Sequence, residues 1–237
     1  TMNYENDDFT FVCCNHEYKC SVVAASILSP KANRLMNQGL TRLNIENTQP
    51  YTPNGLEMKF GEFFNFAHGA PLKIDQDGLK DIVDIAVQME NTYILDICAS
   101  IVPQNGVSRM HFCLSLGTWD HPLVTQYKWN VTDEQYNTYG TNSTFFTSEL
   151  SRLVQPPLLE KLVKANIKVN GEGALSSFLF SYINCGWKSH ATFLLKYIKV
   201  QSLDRKIMRD FLESVNPNFI TEEIWDMMGE IIMNNVK

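Results

Sequence analysis

The order of turn signals and apolar periods between Asp8 and Leu95 constrains this chain more than any other feature of its sequence. Short segments of alternating apolar residues are interleaved with segments in which apolar residues recur at steps of three and four. The order predicts strand, strand, helix, strand, helix, strand, helix and helix. A chain with this pattern is expected to fold as α+β, with a small mixed sheet flanked by helices.

The first two predicted strands form a hairpin. In the segment Asp8–Cys20, the residues Phe9, Phe11 and Cys13 alternate with their neighbours up to a predicted turn at Asn15-His16. This alternation predicts that one face of the hairpin is buried. Two more short strands are predicted further along the chain, at residues 40–46 and 71–74.

Cap residues mark the starts of the predicted helices. Ser21 precedes an apolar, alanine-containing stretch, which favours a buried helix over a strand, and Ser29-Pro30 restarts the helix because proline fits the first helical position. Asp75 is predicted to cap a later helix that ends at Asn91. One buried stripe is predicted in that helix, formed by Leu79, Ile82, Val83, Ala86 and Met89.

An aromatic helix is predicted at Glu57–Ala67, ending at Gly69 in a left-handed cap, and a further apolar helix at Tyr93–Val102. Beyond residue 102 the periodicity weakens, and only Arg109–Leu116 has a helical pattern before residue 143. From there the sequence predicts an all-helical region. Its helices are expected at 143–153, 158–165, 174–185, 191–200, 203–215 and after a Thr221 cap.

Three pieces of the first half resemble successive motifs of the BTB/POZ family. They are Ala24-Ala25-Ser26-x-x-Ser29-Pro30, then Phe60-x-x-Phe63-x-x-Phe66-Ala67-His68-Gly69-x-x-Leu72-x-Ile74-Asp75, then the Leu79 to Met89 stripe. The resemblance implies a protein-interaction domain without chemistry of its own.

The helices of the second half resemble the BACK region that commonly follows a BTB domain. The matching pieces are Leu153-x-x-Pro156-Pro-Leu-Leu-x-x-Leu162-Val163, then Ile167-x-Val169-x-Gly-Glu172-x-x-Leu175-x-x-Phe178-Leu-x-x-Tyr182-Ile183, and the Leu203–Ile232 run. We therefore expect a BTB/POZ-like domain at 1–102, a connecting segment at 103–142 without an assignment, and a BACK-like helical region at 143–237.

The resemblance implies a protein-protein interaction adaptor that links a substrate to a cullin-type ubiquitin ligase. A scaffold or oligomerisation module without a ubiquitin role is the alternative, and which residues bind a partner is left open. Two of three departures from the family bear on this choice, and the third, at Cys20, does not. Only the polar residues Thr1–Asp7 precede the first strand, where many dimeric members carry an extra helix, so the swapped dimer of those members is disfavoured and a homodimer is left open. The loop Asn37–Thr41 lacks the glutamate of cullin-binding members, and Cys20 replaces a usual histidine.

Charge and hydropathy exclude two classes of partner. The formal net charge of −6 and the absence of a Lys/Arg run argue against a nucleic-acid surface. No apolar run approaches the roughly 20 residues that span a bilayer, and the polar start lacks a signal-peptide core. We expect a soluble protein of the cytoplasm, with the nucleus as an open alternative.

The cysteines and histidines offer the remaining candidate sites. Cys13, Cys14, His16 and Cys20 are close in sequence, but adjacent cysteines in a strand point to opposite faces, which disfavours one shared zinc ion. We predict no catalytic residue, no cofactor and no metal. A thiol enzyme that uses Cys20 or Cys98 is the least favoured alternative. The candidate nucleophiles and their partners are Cys13, Cys14, Cys20, Cys98, Cys113, Cys185, His16, His68, His111, His121 and His190.

Six large apolar side chains are candidates for partner binding. Phe60, Phe63 and Phe64 are predicted to be core, while Phe66 stays open. Trp225 and Met228 in the last helix are also predicted to be core, because a terminal helix needs an apolar stripe in order to dock.

Overall fold

Three short strands pair near the start of the chain in a computed structural model that describes residues 7–47, 53–139, 154–165, 172–187, 190–215 and 220–235. The sheet order is β2-β1-β3, with the strands at Phe9–Cys13, His16–Cys20 and Arg42–Ile45. Helices follow the sheet, so the fold is α+β as predicted. The chain divides into two units, and the boundary lies between Asn130 and Val131.

The hairpin turns one residue earlier than predicted. Cys13 pairs with His16, so that the two turn residues are Cys14 and Asn15, with φ angles of 51° and 71°. Two successive positive φ angles define the two-residue turn whose twist matches that of the flanking strands. Asparagine tolerates this conformation, but cysteine is an unusual first residue for such a turn. The turn was therefore predicted one residue later, at Asn15-His16.

β3 runs parallel to β1, with Phe11 opposite Leu43 and Cys13 opposite Ile45. The four inward side chains of this pair are buried, as the alternating pattern predicted for Phe11 and Cys13 of the hairpin. The prediction of a strand at 71–74 is wrong, because these residues have no regular secondary structure and do not join the three-stranded sheet. Pro71 lacks a backbone donor, and the segment offers only four residues for a ladder.

Seven helices are described in the first unit. The predicted restart at Ser29-Pro30 is confirmed, and Gly69 adopts a φ of 88° after the aromatic helix, as its position suggested. Asp75 does not cap the next helix directly: its carboxylate accepts from Gly78 N–H in the turn before Leu79. The helices are α1 Val22–Leu28, α2 Pro30–Asn37, α3 Pro53–Phe66, α4 Leu79–Met89, α5 Thr92–Ile101, α6 Gly106–Ser115 and α7 Pro122–Gln126.

Two cap residues fasten these helices to one another. Ser29 Oγ accepts from Ala32 N–H at the start of α2 and donates to Met89 O at the end of α4, 2.8 Å away. Asn91 closes α4 as predicted, because its backbone N–H donates to Ala86 O, and it also caps α5: its side-chain oxygen accepts from Ile94 N–H, while its amide donates to Leu28 O at the end of α1. Both side chains are buried. Each therefore satisfies one helix start and the end of a different helix.

A buried carboxylate ties α4 to the segment that follows α6. Asp84 is 1% exposed and accepts from Gly117 N–H, Thr118 N–H and Thr118 Oγ at 3.0, 2.9 and 2.7 Å. Lys80 Nζ lies 3.6 Å from it. α4 is thus buried on nearly all sides, which is more than the single stripe that its apolar spacing predicted.

The described part of the second unit is helical. Helical structure was predicted in each of these places except Asp133–Tyr139, but the helix predicted at Ala191–Val200 is a short 3₁₀ helix at Thr192–Tyr197 rather than an α-helix. The helix predicted at 143–153 lies outside the described residues. The elements are α8 Asp133–Tyr139, α9 Pro156–Lys164, α10 Glu172–Tyr182, a π-helical turn Ile183–Trp187, 3₁₀ helices Thr192–Tyr197 and Val200–Ser202, α11 Arg205–Ser214 and α12 Glu222–Asn235.

Glu160 on α9 joins three partners, and we expect this network to make the second unit sensitive to acid. Its carboxylate lies 2.8 Å from Lys196 Nζ, 2.7 Å from Tyr197 Oη and 3.3 Å from Lys164 Nζ. Hydrogen bonds from Lys196 and Tyr197 lower the pKa of Glu160 from 4.5 to about 2. Because the folded-state pKa is depressed, the stabilisation is present above pH 4.5 and is lost as the pH falls toward 2.

Glu160→Gln should therefore lower the free energy of unfolding by about 1 kcal/mol at pH 7, after allowance for solvent screening, and by nearly nothing at pH 2. Urea unfolding followed by circular dichroism at both pH values measures the difference. Glu213→Gln, an exposed site on α11, is the matched control and should have no effect at either pH. An equal loss at pH 2 and pH 7 would contradict the role of the carboxylate charge.

Candidate functional site

Cys13 and Cys14, the thiols of the hairpin turn, lie side by side. Cys14 lies in the turn rather than in the strand, so its Sγ approaches Cys13 Sγ to 3.9 Å, and the sequence argument that the two point apart does not hold. Cys20, at the other end of β2, is buried, and His16 Nδ1 is engaged by Glu57 at 2.7 Å. Within the described ranges, no group of three or more His, Cys, Asp or Glu residues could hold a metal ion.

Cys20 and Cys98, the two cysteines of the thiol-enzyme alternative, are buried and protonated. Burial raises the pKa of Cys20 to about 11 and that of Cys98 to about 12. The thiolate is the nucleophile, and activation of a cysteine requires its pKa to fall rather than to rise. Burial raises the pKa of Cys113 to about 11 in the same way. These environments suit core-filling thiols, and the side chain of Cys185 lies outside the described residues.

The histidines have local roles. His68 Nδ1 lies 3.1 Å from Phe64 O at the end of α3, in the structural role predicted for it. His121 Nδ1 accepts from Leu123 N–H and caps α7. Partial burial lowers the pKa of His111, and His190 is exposed.

Helix α1 carries the first candidate binding surface. Ala24, Ala25 and Leu28 are buried, while Val22, Val23 and Ile27 on the other side are 44%, 52% and 57% exposed. We call this exposed side, together with Ser26, the α1 face. The helix contains no charged residue, so the α1 face is entirely uncharged. A solvent-facing helix side normally carries charged or polar residues, and an apolar one marks a contact surface.

A second apolar area lies on α5, where Tyr93 is 65% exposed and Ile97 is 36% exposed one turn later. Between them, Asp96 accepts a 2.6 Å hydrogen bond from Tyr127 Oη. This bond holds the segment after α7 beside α5. Asn91 caps α5 and bonds to Leu28 O at the end of α1, so the backbone that carries the α1 face is fixed to the start of α5.

The loop Asn37–Thr41, which lacks the glutamate of cullin-binding members, forms a tight turn at the end of α2. Gly39, with a φ of 76°, reverses the chain after α2, and Leu40 N–H bonds back to Leu35 O. Leu40 is 50% exposed in the short connection to β3. The loop therefore presents one apolar side chain and no carboxylate.

The aromatic residues of α3 are buried to different degrees. Phe60 and Phe63 are fully buried as predicted, whereas Phe64 and Phe66 are half-buried. Phe60 and Phe64 pack against Tyr18 of β2, with ring centroids at 4.9 and 5.3 Å. The aromatic residues of α3 therefore serve mainly to join the helix to the sheet.

The prediction that Trp225 is core is wrong. Its side chain is 65% exposed on α12, and Met228 is half-buried. The helix docks through Ile224, Met227 and Ile231 instead. These residues are spaced by three and four and form a complete stripe, so α12 has no need of Trp225 for docking.

Comparison with known proteins adds no identification. No protein-family model matches the chain, and a search of curated proteins found no match either. Among the helices that the structure describes, none combines the length and the apolarity needed to cross a bilayer. The assignment of a function depends on the surfaces described above.

Proposed function

We propose that this chain is a non-catalytic adaptor for protein-protein interaction, built from a BTB/POZ-like domain and a BACK-like helical region. The observation that carries this proposal is the α1 face, where three aliphatic side chains meet solvent on a helix without a charge. Exposed apolar area of this kind is unfavourable in an isolated soluble domain and is removed when a partner covers it.

The order of elements in the first unit also supports the proposal. A hairpin, two consecutive helices and a third strand parallel to the first agree with the opening part of the pattern that resembles BTB/POZ domains. The buried thiols supply no activated nucleophile, which argues against the thiol enzyme. We assign the first unit to partner binding and propose a cullin-type scaffold as its partner.

The turn after α2 favours a second candidate function. Because this turn holds no glutamate, the chain lacks one contact that supports cullin docking in the family it resembles. A scaffold that self-associates through the α1 face would need no such contact. The two functions predict different partners for the α1 face: a cullin-type scaffold in the first and a second copy of the chain in the second.

We expect Val23→Asp/Ile27→Asp to weaken partner binding at least tenfold, because each substitution places a charge in an apolar contact. Sedimentation velocity measures self-association, and a pull-down with the N-terminal region of a cullin at micromolar concentration measures scaffold binding. Val107→Asp changes an equally exposed aliphatic residue on α6 and is the matched control.

The adaptor linked to a cullin is supported if the chain binds the scaffold. Loss of self-association in the double variant, without any cullin binding, supports the second candidate. A wild-type chain that stays monomeric and does not bind the cullin region contradicts both. If the double variant assembles or binds as the wild type does, the α1 face is not the binding surface.

A further inference from the structure

The last described helix has an exposed side whose composition specifies a partner. On α12, Trp225, Gly229 and Ile232 fall at steps of four and three and therefore share one flank of the helix. Trp225 is 65% exposed and Ile232 is 51% exposed, and a side chain added at Gly229 would meet open space. Met233, 67% exposed, extends this apolar area along the helix.

The other flank of the same exposed side is acidic. Glu222, Asp226 and Glu230 recur every four residues, and Glu223 lies beside them; all four side chains are exposed. Like charges one turn apart destabilise a helix, and Glu230 also lies in its C-terminal half, away from the favourable N-terminal end. From 220 to 235 the sequence contains no lysine, arginine or histidine that could relieve this repulsion.

A groove of about 320 Å³ opens beside the acidic flank. Its buried lining residues, which form the floor, are all apolar, and the exposed residues Glu223, Asp226 and Glu230 form the rim. Lys196, also at the rim, has its Nζ 2.8 Å from Glu160. The groove matches a lysine or arginine side chain, whose aliphatic stem packs on an apolar floor while its charge reaches carboxylates. The floor is lined by Leu195, Ile198, Val200 and Met227.

We propose that the exposed side of α12 docks an amphipathic helical segment of a partner protein whose apolar stripe is bordered by lysine or arginine residues. The stripe covers Trp225 and Ile232, crossing at Gly229, where the two backbones approach closely. The basic border faces Asp226 and Glu230. Tryptophan is the residue type most enriched among those that dominate binding energy, and complementary charge sets the choice of partner.

The inference rests on the adaptor function proposed above and assigns the second unit a contact surface of its own. It can be tested with two synthetic 16-residue helical peptides that share a leucine stripe. One carries lysine along the border of the stripe and the other carries glutamate. Fluorescence anisotropy of the labelled peptides against the full chain measures both affinities, at low and at high salt.

We expect the lysine peptide to bind at least tenfold more tightly than the glutamate peptide, and this preference should shrink as salt rises. Trp225→Ala should weaken binding at least tenfold, whereas Trp225→Phe should retain most of it. The double charge reversal Asp226→Lys/Glu230→Lys should invert the preference between the peptides. Glu213→Lys, an exposed reversal on α11, is the control and should change neither affinity.

No binding of the lysine peptide at millimolar concentration, equal binding of both peptides, or unchanged binding by Trp225→Ala would each overturn the proposal. A wild-type dimer that Trp225→Ala dissociates would overturn it too, because the surface would then bind a second copy of the chain. Val23→Asp/Ile27→Asp should leave peptide binding unchanged. The experiments therefore distinguish a loss of binding at the α1 face from a loss of binding at the α12 surface.

Discussion

Replacement of Asp84 by alanine is expected to destabilise the first unit by about 3–5 kcal/mol, the largest effect of any single substitution considered for this chain. The carboxylate is almost fully buried and receives three hydrogen bonds from Gly117 and Thr118. Its removal leaves two backbone donors and a hydroxyl group without an acceptor inside the protein, and each unpaired buried group costs about 1–3 kcal/mol.

Lys80 adds to the expected loss. Burial alone would lower the pKa of its ammonium group, but the carboxylates of Asp84 and Asp81 outweigh that effect and the pKa is raised. Without Asp84, the ammonium group keeps only Asp81, whose Oδ1 lies 2.8 Å away. Asp84→Asn should lie between the alanine variant and the wild type, because the amide keeps one acceptor but turns two N–H donors toward other donors.

Urea unfolding, followed by circular dichroism and by hydrogen exchange in α4 and at residues 112–118, measures the change in the first unit. Asp77→Ala removes an exposed aspartate shortly before α4 and is the matched control, with an expected change within 0.5 kcal/mol, a typical size for surface substitutions. A loss below about 1 kcal/mol in Asp84→Ala would mean that water replaces the carboxylate as the acceptor.

Asp84 also illustrates which parts of the structure the sequence could not predict. Its neighbours Ile82, Val83 and Ala86 belong to a stripe that apolar spacing identifies, but the partners of the carboxylate come 33 and 34 residues later. Periodicity reports which side of a helix is apolar and contains no information on a distant backbone donor. Most helices, the two outer strands and the central strand were nevertheless predictable, because serine caps, glycine ends and alternation act locally.

The binding surfaces were harder to predict than the elements that carry them. Val22, Val23 and Ile27 lie in an apolar stretch that looks buried on every side, and Trp225 has the spacing of a core residue. Whether such a residue is core or surface depends on how many neighbouring elements cover the helix, which is a tertiary property. One signal was available, because α12 has more apolar residues than its docking requires. Its docking stripe is complete without Trp225, and an amphipathic helix needs only one such stripe.

Ser29→Ala is expected to cost about 2–4 kcal/mol, several times more than the same substitution at Ser21. Both serines cap helices: Ser21 Oγ accepts from Ala24 N–H at 3.3 Å, and Ser29 Oγ accepts from Ala32 N–H at 3.0 Å. Loss of such a cap costs about 1 kcal/mol. Ser29 alone is fully buried and donates to Met89 O, so its loss also leaves that carbonyl without this partner, for about 1–3 kcal/mol more.

The difference between the two serine variants isolates the bond between helices from the cap. Urea unfolding of the two variants measures it, and equal losses would show that the Ser29–Met89 bond contributes nothing. The Ser29–Met89 bond anchors Ser29, the residue that follows α1. Asn91 in turn anchors Leu28, the last residue of α1. Ser29→Ala should therefore loosen α1, and hydrogen exchange over residues 22–28 should quicken in this variant before the rest of the first unit unfolds. The α1 face needs a rigid helix in order to bind tightly, so we expect the same variant to weaken self-association or cullin binding even where the fold survives.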